Sequence, residues 1–546
     1  MAAVEPKKRS HNLRSLTEAI HEQEHILQEG GGPKELVRQH TLGRLFVRER
    51  LASLLDSDDF FLELGLWAGY QMYPEEGEVP AAGVVAGIGL VNHRPCMIIA
   101  NDATVKGGAL FPMTCKKIIR AQRIAYENAL PIVYLLDSAG VYLPMQDEVF
   151  PDEDDFGRIL RNNSVLSAAG LPQFAAIMGN CIAGGAYLPV LCDKILMTEG
   201  SSLYLAGPAL VKAAIGQEAD PEELGGAAMH AEVSGTVDFK EPDDPHCLHR
   251  VRELLGTLPE TPWSWPYAGR FDIPAQRAAQ EVFDLVDVDG KKEYDMRVLI
   301  ETVIDADSCN EYKADYGKTL VTAYARIGGH QVGIVANQRL RSESPHGLQI
   351  GGVIYADSAD KAARFVMDCN QLAIPILFLQ DVYGFMVGKQ AEQSGIIRSG
   401  AKLVNAISNS VVPKITVVVG GSFGAGNYAL CGKAYDPRFI FAWPNAKYAV
   451  MGVSQAGGII FSIKKHAAEK AAAEAGEDLD PQELDALREK VHTRYAEKTD
   501  IRYAAARGWV DAIIAPDKTR EVLITALGLV TRKPPKAHYH TGVLQT

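Results

Sequence analysis

Two stretches of this chain occur twice, and that internal duplication constrains the fold more than any other feature. ALPIVYLLDSAGVYLP (Ala129–Pro144) matches AIPILFLQDVYGFMVG (Ala373–Gly388), with Pro131, Ile132, Leu135, Asp137 and Gly140 aligned on Pro375, Ile376, Leu379, Asp381 and Gly384 at a constant offset. LPQFAAIMGNCIAGGAY (Leu171–Tyr187) matches VPKITVVVGGSFGAGNY (Val412–Tyr428) at an offset only a few residues different, aligning Pro172, Gly179, Gly185 and Tyr187 on Pro413, Gly420, Gly426 and Tyr428. Matches in the same order at nearly the same spacing mark a module copied whole. A chain of 546 residues exceeds one ordinary core, so the copies are expected to fold as separate domains.

Each copy reads as strand alternating with helix. The runs PIVYLL, FAAIM, PILFLQ and ITVVV suit strands buried on both faces of a sheet. FGRILRNNSVLSAAG and SGIIRSGAKLVNAISNS between them carry apolar residues at helical spacing. The fold class is therefore α/β, built from parallel β-α-β units. The stretch from about Asp238 to Lys292, with EPDDPH, LPETPWSWP and DVDGKKE, is Pro-rich, charged and without sustained period, and reads as the connection. The division is placed between residues 1–280 and 281–546. The Ala- and charge-rich segment Lys464–Lys498 reads as a solvated helical hairpin.

Composition narrows the partners. A net charge of −13 argues against a nucleic-acid surface, since phosphate binding needs a basic face. The eight cysteines are scattered without a CxxC pair, which suits a reducing compartment. The N-terminus lacks an apolar core and carries Glu5 and Glu18, and no apolar run is long enough to span a bilayer. A cytoplasmic chain with no membrane and no nucleic-acid partner is expected.

The chemistry points to two turns. In each copy a buried strand ends in small residues that open a short helix: CIAGGAYLP (Cys181–Pro189) and SFGAGNYAL (Ser422–Leu430). Small residues let a ligand approach the backbone, and a helix start presents free N–H groups with partial positive charge. Two such N–H groups aimed at one oxygen form an oxyanion hole, each donor typically worth about 3 kcal/mol of barrier. The bland alternative is tight helix–strand packing, and repetition of the turn in both copies favours the functional reading. GGSFG (Gly420–Gly424) fits a nucleophile elbow. The first copy has Asn180 and Cys181 there, so Ser422 reads better as a small turn residue. Asp137 and Asp381 close equivalent strands, where turn or capping roles compete with acid–base work. His246, Cys247 and His249 lack a second ligand cluster and read as linker surface rather than a metal site. No Walker A sequence is present, and no GxGxxG follows a first strand, so nucleotide-binding folds are disfavoured.

At these same turns the chain resembles the carboxyltransferase (β) subunits of biotin-dependent acyl-CoA carboxylases. The likeness runs through ANDATVKGG, FPDEDDFGRI, CIAGGAYLPV, LAGPALVKAA and ELGGA, then YGKTLVTAYARI, GFMVG, SGIIRSGAKLVNA, VPKITVVVGGSFGAGNYALCGKAYDPRF and WPNAKYAVMG. It covers roughly Leu42 to the C-terminus. The GAGNY form of the second turn, with GPALVKAA and GFMVG, is most similar to the methylcrotonyl-CoA and geranyl-CoA carboxylase branch.

The resemblance implies two crotonase-like (ClpP/crotonase) β-α-β superhelical domains, the first binding acyl-CoA and the second receiving carboxybiotin. It implies hexamers of this chain, with the active site between the N-domain of one subunit and the C-domain of another. Ala183, Gly184 and Gly185 would then stabilise the enolate of the thioester, and Gly424, Ala425 and Gly426 would bind the ureido oxygen of biotin. Lys106, Lys116 and Lys117 are candidate contacts for CoA phosphates, with a solvated helix face as the alternative, and Phe385 of GFMVG is assigned to cofactor binding. Biotin itself would take the substrate proton, so no protein base and no metal is expected. The chain has neither a biotin-attachment sequence of the AMKM type nor an ATP-grasp region. Biotin, and the step consuming ATP and bicarbonate, would come from an alpha-type biotin carboxylase and carrier subunit.

Three stretches depart from the family pattern: DSAGV with Ala139 and Val141, GVSQAGG (Gly452–Gly458), and a longer SESPHGLQIGGVIYADS between Arg341 and Ala359. The expected substrate is 3-methylcrotonyl-CoA or a similar branched, unsaturated acyl-CoA. Geranyl-, propionyl- or acetyl-CoA, a biotin-dependent acyl-CoA decarboxylase of a sodium-pumping complex, and a non-enzymatic scaffold are the alternatives.

Overall fold

The apolar runs PIVYLL, FAAIM, PILFLQ and ITVVV all form strands, and each lies inside a mixed sheet. The computed structural model describes residues 12–57, 61–259, 270–345, 347–475, 481–533 and 539–541. The chain divides into a first unit, His21–Pro266 with Ala505–Ala512, and a second, Met1–Ile20 with Tyr267–Ala504 and Ile513–Thr546. Residues 280 and 281, where the sequence reading put the division, fall inside the second unit.

The first unit holds strands β1 (Phe61–Leu64), β2 (Val84–Val91), β3 (Arg94–Asn101), β4 (Ile132–Ser138), β5 (Gln173–Ile182), β6 (Lys194–Thr198), β7 (Ser202–Tyr204) and β8 (Phe239–Glu241). They run in the order β1-β2-β3-β4-β5-β6-β8, with β7 paired on the end of β5. The second unit has β9 (Asn310–Glu311), β10 (Leu320–Ile327), β11 (His330–Asn337), β12 (Ser342–Ser344), β13 (Gly347–Gln349), β14 (Val353–Ile354), β15 (Ile376–Val382), β16 (Gly384–Phe385), β17 (Lys414–Phe423), β18 (Phe439–Ala442) and β19 (Lys447–Ala449). Its sheet runs β18-β17-β15-β11-β10-β9, with β19 paired on β17. The two orders are the same once β2, β3, β4 and β5 are set against β10, β11, β15 and β17.

Every residue of β4, β15 and β17 is buried, the signature of parallel strands covered on both faces. In the first unit Val47, Leu51, Cys247, Leu248 and Val251, from helices Val47–Leu54 and Asp244–Gly256, pack on Val85, Val133, Leu135 and Phe174. In the second, helices Ala356–Gln371 and Ile396–Ser408 do the same through Phe365, Val366, Leu403 and Ile407.

Two expectations change. The sheets are not purely parallel, because β2/β3 and β10/β11 are antiparallel hairpins. Both turn on two residues in the left-handed region, Asn92 and His93 in one and Gly328 and Gly329 in the other. Tight hairpin turns with this backbone match the twist of the flanking strands. The stretch Asp238–Lys292 is not all connection either. Helix Asp244–Gly256 starts where the Asp243 side chain accepts the His246 N–H, with Pro245 in its first turn. Cys247, Leu248, Val251 and Leu255 then fall on one helical face. His246 and His249 lie on the exposed side and pair with Asp243 and Glu253.

Of the segment Lys464–Lys498, residues 476–480 lie outside the described residues and the rest falls on helices Val453–Ala475 and Pro481–Thr499, with Arg488 over the ring of Phe461. Among the described residues no helix is long and apolar enough to cross a membrane.

Candidate functional site

Each turn is built from the end of one parallel strand and the bulge of its neighbour. The register between β4 and β5 shifts between Leu136 and Ser138, and that between β15 and β17 shifts at the equivalent place, between Gln380 and Val382. The residue at each bulge is an aspartate. Asp137 accepts the Asn180 N–H at 3.1 Å, and Asp381 accepts the equivalent Gly421 N–H at 2.8 Å.

A Cβ on Gly179 would stand 2.0 Å from the Asp137 carboxyl carbon, and one on Gly420 would stand 2.4 Å from an Asp381 oxygen. Those repeated glycines therefore make room for the repeated carboxylates. Arg50 and Arg44 approach Asp137 at 3.5 Å, while Asp381 meets Arg339 Nε at 3.1 Å and the Tyr294 hydroxyl at 2.9 Å. Burial pushes the Asp137 carboxyl above its ordinary value, with the two guanidinium groups opposing that rise. Both aspartates are committed to holding backbone, so the turn role fits and acid–base work does not.

Beyond the bulge, β5 runs into a tight turn of helix, Ala183–Ala186, and then Tyr187–Val190. β17 runs into helix Gly424–Ala429. The first N–H groups of such segments have no partner within the helix. Gly424 adopts a positive φ of 53°, and a Cβ there would sit 2.9 Å from the Val450 carbonyl. A Cβ on Gly426 would lie 2.6 Å from Val382 and 3.2 Å from the Cα of Gly384; one on Gly185 would lie 3.8 Å from the Cα of Gly140. In both units the turn thus meets the glycine just past the aspartate strand, backbone against backbone. Ala425 is exposed, and Gly185 and Gly426 are buried beneath.

Ser422 is not a presented nucleophile. It is buried, donates to Gln380 Oε1 at 2.7 Å and accepts from Asn427 Nδ2 at 2.7 Å, while Gln380 Nε2 donates to the Leu430 carbonyl. This relay ties helix Gly424–Ala429 to two strands. The first unit has Leu136 and Cys181 at the corresponding positions, and the Cys181 thiol reaches the Gly185 carbonyl at 3.3 Å.

The four cofactor candidates fare differently. Lys106 is exposed and donates to the Glu76 carbonyl, and Lys116 is half-exposed and paired with Asp154 at 3.0 Å. Lys117 is buried, its ammonium on the carbonyls of Ala81 and Val84, and burial lowers its pKa to about 7. That placement takes Lys117 out of the phosphate reading: it faces the interior of its own unit. Phe385 is half-buried, and its ring lies 3.0 Å from where a Cβ on Gly400 would be.

Arg50, Arg339, Tyr294 and the Gln380–Ser422–Asn427 relay escaped the sequence reading. The arginines occupy unrelated places in the two copies, so the duplication does not mark them. Asn101 and Asn337 were within reach, since each ends a strand of the antiparallel hairpin and accepts the N–H of the local aspartate. Among the described residues no group of three or more His, Cys, Asp or Glu is placed to hold a metal ion.

Residues 38–541 match the family model of the carboxyl transferase domain. The chain is 44% identical to the biotin-dependent 3-methylcrotonyl-coenzyme A carboxylase beta1 subunit of Mycobacterium tuberculosis, across 92% of each protein. It is 40% identical to the mitochondrial methylcrotonoyl-CoA carboxylase beta chain of Dictyostelium discoideum, covering 96% of this chain and 86% of that one. Its structure superposes on the geranyl-CoA carboxylase beta subunit of P. aeruginosa with a TM-score of 0.82, at 32% identity and 99% coverage of both. Two like sheets, each ending in a glycine-lined turn, are thus the duplicated crotonase-like fold of a carboxyltransferase. The chain belongs to the carboxyl transferase family, as a carboxyltransferase subunit of the biotin-dependent acyl-CoA carboxylases.

Proposed function

We propose that this chain moves a carboxyl group from carboxybiotin, carried by an alpha-type partner subunit, to 3-methylcrotonyl-CoA or a similar branched, unsaturated acyl-CoA. The observation that carries the proposal is the repeated meeting of turn and glycine: Gly185 against Gly140, and Gly426 against Gly384. Glycine on both sides brings backbone close to backbone at each turn, and the start of the following helix offers main-chain N–H groups without helical partners to a substrate oxygen. In the first unit the N–H groups of Ala183, Gly184 and Gly185 hold the thioester oxygen as negative charge develops on it. In the second, those of Gly424, Ala425 and Gly426 hold the ureido oxygen. Biotin supplies the carrier for the carboxyl group and a nitrogen that takes up the proton lost from the acyl carbon. The chain's part is to orient both oxygens and to exclude water.

Acyl-CoA is assigned to the first unit and biotin to the second, the roles expected of residues 1–280 and 281–546. Lys106 and Lys116 are the proposed contacts for CoA phosphates, and Phe385 the proposed wall against biotin. The partner consumes ATP and bicarbonate. Tyr187 and Val190 beside the first turn, and Tyr428, Val450 and Ile397 beside the second, are all exposed. Apolar side chains at that density support burial against further copies of the chain, in a hexamer. The eight free cysteines support a cytoplasmic setting.

Bicarbonate incorporation by the purified complex with its biotinylated partner should be fastest with 3-methylcrotonyl-CoA among methylcrotonyl-, geranyl-, propionyl- and acetyl-CoA. Gly184→Val and Ala425→Val should each lower turnover about 100-fold or more while the chain stays folded by circular dichroism. Unchanged turnover in both variants would remove the oxyanion assignments. A preference for another acyl-CoA would correct the substrate alone.

A further inference from the structure

Asn101 and Asn337 are equivalent, each accepting the N–H of its local aspartate, Asp137 in the first unit and Asp381 in the second. Two residues past each asparagine and each aspartate the copies diverge together. The first has Ala103 and Ala139 there, and the second has Arg339 and Tyr383. The two large side chains touch. The guanidinium carbon of Arg339 lies 4.4 Å from the centre of the Tyr383 ring, and Nη2 donates to the Tyr383 hydroxyl and the Gly290 carbonyl, both at 2.7 Å.

Arg339 is 4% exposed and holds the second turn from two directions. Its Nε meets Asp381 at 3.1 Å, and Asp381 accepts the Gly421 N–H at 2.8 Å, near the end of β17 where helix Gly424–Ala429 opens. Through Tyr383 it reaches the chain that meets the turn, since Gly384 follows at once and its Cα lies 3.2 Å from where a Cβ on Gly426 would be. Gly352 makes room for this: a Cβ there would collide with Arg339 Nη1, and its carbonyl accepts the Tyr383 N–H at 2.8 Å.

An asparagine at position 381 would accept the same N–H and need no cation. A lone buried carboxylate would take up a proton, or lay negative charge beneath N–H groups that serve an anionic oxygen. With Arg339 beside it, Asp381 stays ionised, makes the stronger charge-assisted bond to Gly421 and adds no net charge under the turn. The Tyr294 hydroxyl also donates to this carboxylate at 2.9 Å, and burial holds that phenol well above its ordinary value, so it brings no charge. The first turn reaches the same balance with other residues, Arg50 and Arg44 at 3.5 Å from Asp137. Unrelated arginines at equivalent aspartates mark the charge itself as what both turns require.

We infer that Arg339 is a positioning residue for carboxyl transfer: its charge keeps Asp381 an ionised acceptor for Gly421 with no net charge beneath the second turn, and its flat face fixes Tyr383 beside Gly384. The inference rests on the proposed role of the second turn in holding the ureido oxygen.

The test is the pH profile of carboxyl transfer by the complex with its biotinylated partner, each variant taken as a ratio to the unsubstituted complex. Arg339→Met strands the Asp381 charge, so kcat should fall about tenfold at about pH 8 and recover as pH is lowered and Asp381 takes up a proton. The KM for acyl-CoA should not change. Adding Asp381→Asn to Arg339→Met removes the stranded charge and should restore most of kcat and flatten the profile. Arg339→Lys keeps the cation and should show no alkaline loss. A loss in Arg339→Met that is equal at every pH and persists in the double variant overturns the inference, as does unchanged turnover. Should Arg339→Met fail to fold by circular dichroism, Arg339→Gln, which keeps an amide donor for Tyr383, must show the alkaline loss. If that loss appears in kcat/KM for acyl-CoA at full kcat, Arg339 still positions its turn, and the assignment of the two turns is what falls.

Discussion

Lys117 and Lys361 stand 244 residues apart, the same spacing as Asp137 and Asp381, and they show how deep the duplication runs at single residues. Each projects from the helix that precedes the aspartate strand. Lys117 donates to the carbonyls of Ala81 and Val84, and Lys361 to those of Lys313 and Tyr316. Burial lowers the first to about 7 and the second to about 8. A neutral amine keeps two N–H donors, which matches two carbonyls, so the uncharged form suits both sites. An unfolded lysine holds its proton up to about 10.4. Between about pH 7 and that value the unfolded chain binds a proton at position 117 that the folded chain does not, and stability must rise with pH. The contribution is complete above the unfolded pKa and is lost as pH falls through about 7. Lys117→Met removes this dependence: urea unfolding followed from pH 7 to 10 should give the unsubstituted protein a steeper rise in stability than the variant.

At the level of elements, the two turns share a backbone plan and differ in how they are fastened. The second is held by the polar relay Gln380–Ser422–Asn427, where the first has Leu136 and Cys181, whose thiol reaches the Gly185 carbonyl at 3.3 Å. Giving the second unit the first unit's pair, with Gln380→Leu and Ser422→Cys together, should keep the strands packed and leave Asn427 without its anchor. Carboxyl transfer by the complex should then fall about tenfold, equivalent to about 1.4 kcal/mol, with the KM for acyl-CoA unchanged, because the proposed acyl-CoA turn is untouched. A rise in that KM with full turnover would show that the relay serves something else.

For the whole molecule, the exposed tyrosines at equivalent positions, Tyr187 at 50% and Tyr428 at 48%, are more informative than the sheets. Large apolar groups beside both proposed oxyanion turns favour burial against another copy. Light scattering should report a hexamer. Val450→Asp, a charge on a residue that is 76% exposed beside the second turn, should yield smaller species of unchanged fold.

The strands, the flanking helices, the duplication and both turns were legible because parallel strands buried on two faces must be apolar throughout, and glycines at close approaches cannot vary. Those are local demands, written where they act. The antiparallel hairpins were half legible, in the dipeptides at Asn92 and Gly328. The helix Asp244–Gly256 was missed because charged residues on its outer face hid a four-residue apolar stripe. Lys117 looked like a surface charge beside Lys116, though successive helix positions point about 100° apart and only one of the two faces solvent.

What the sequence determined by itself was the module and its repetition, together with the small residues at which a ligand can reach the backbone. Tertiary structure alone decided which arginines face each aspartate and which lysine is buried. Those outcomes depend on groups far apart in the chain arriving at one place, where burial and pairing are properties of the assembled neighbourhood and of no single segment.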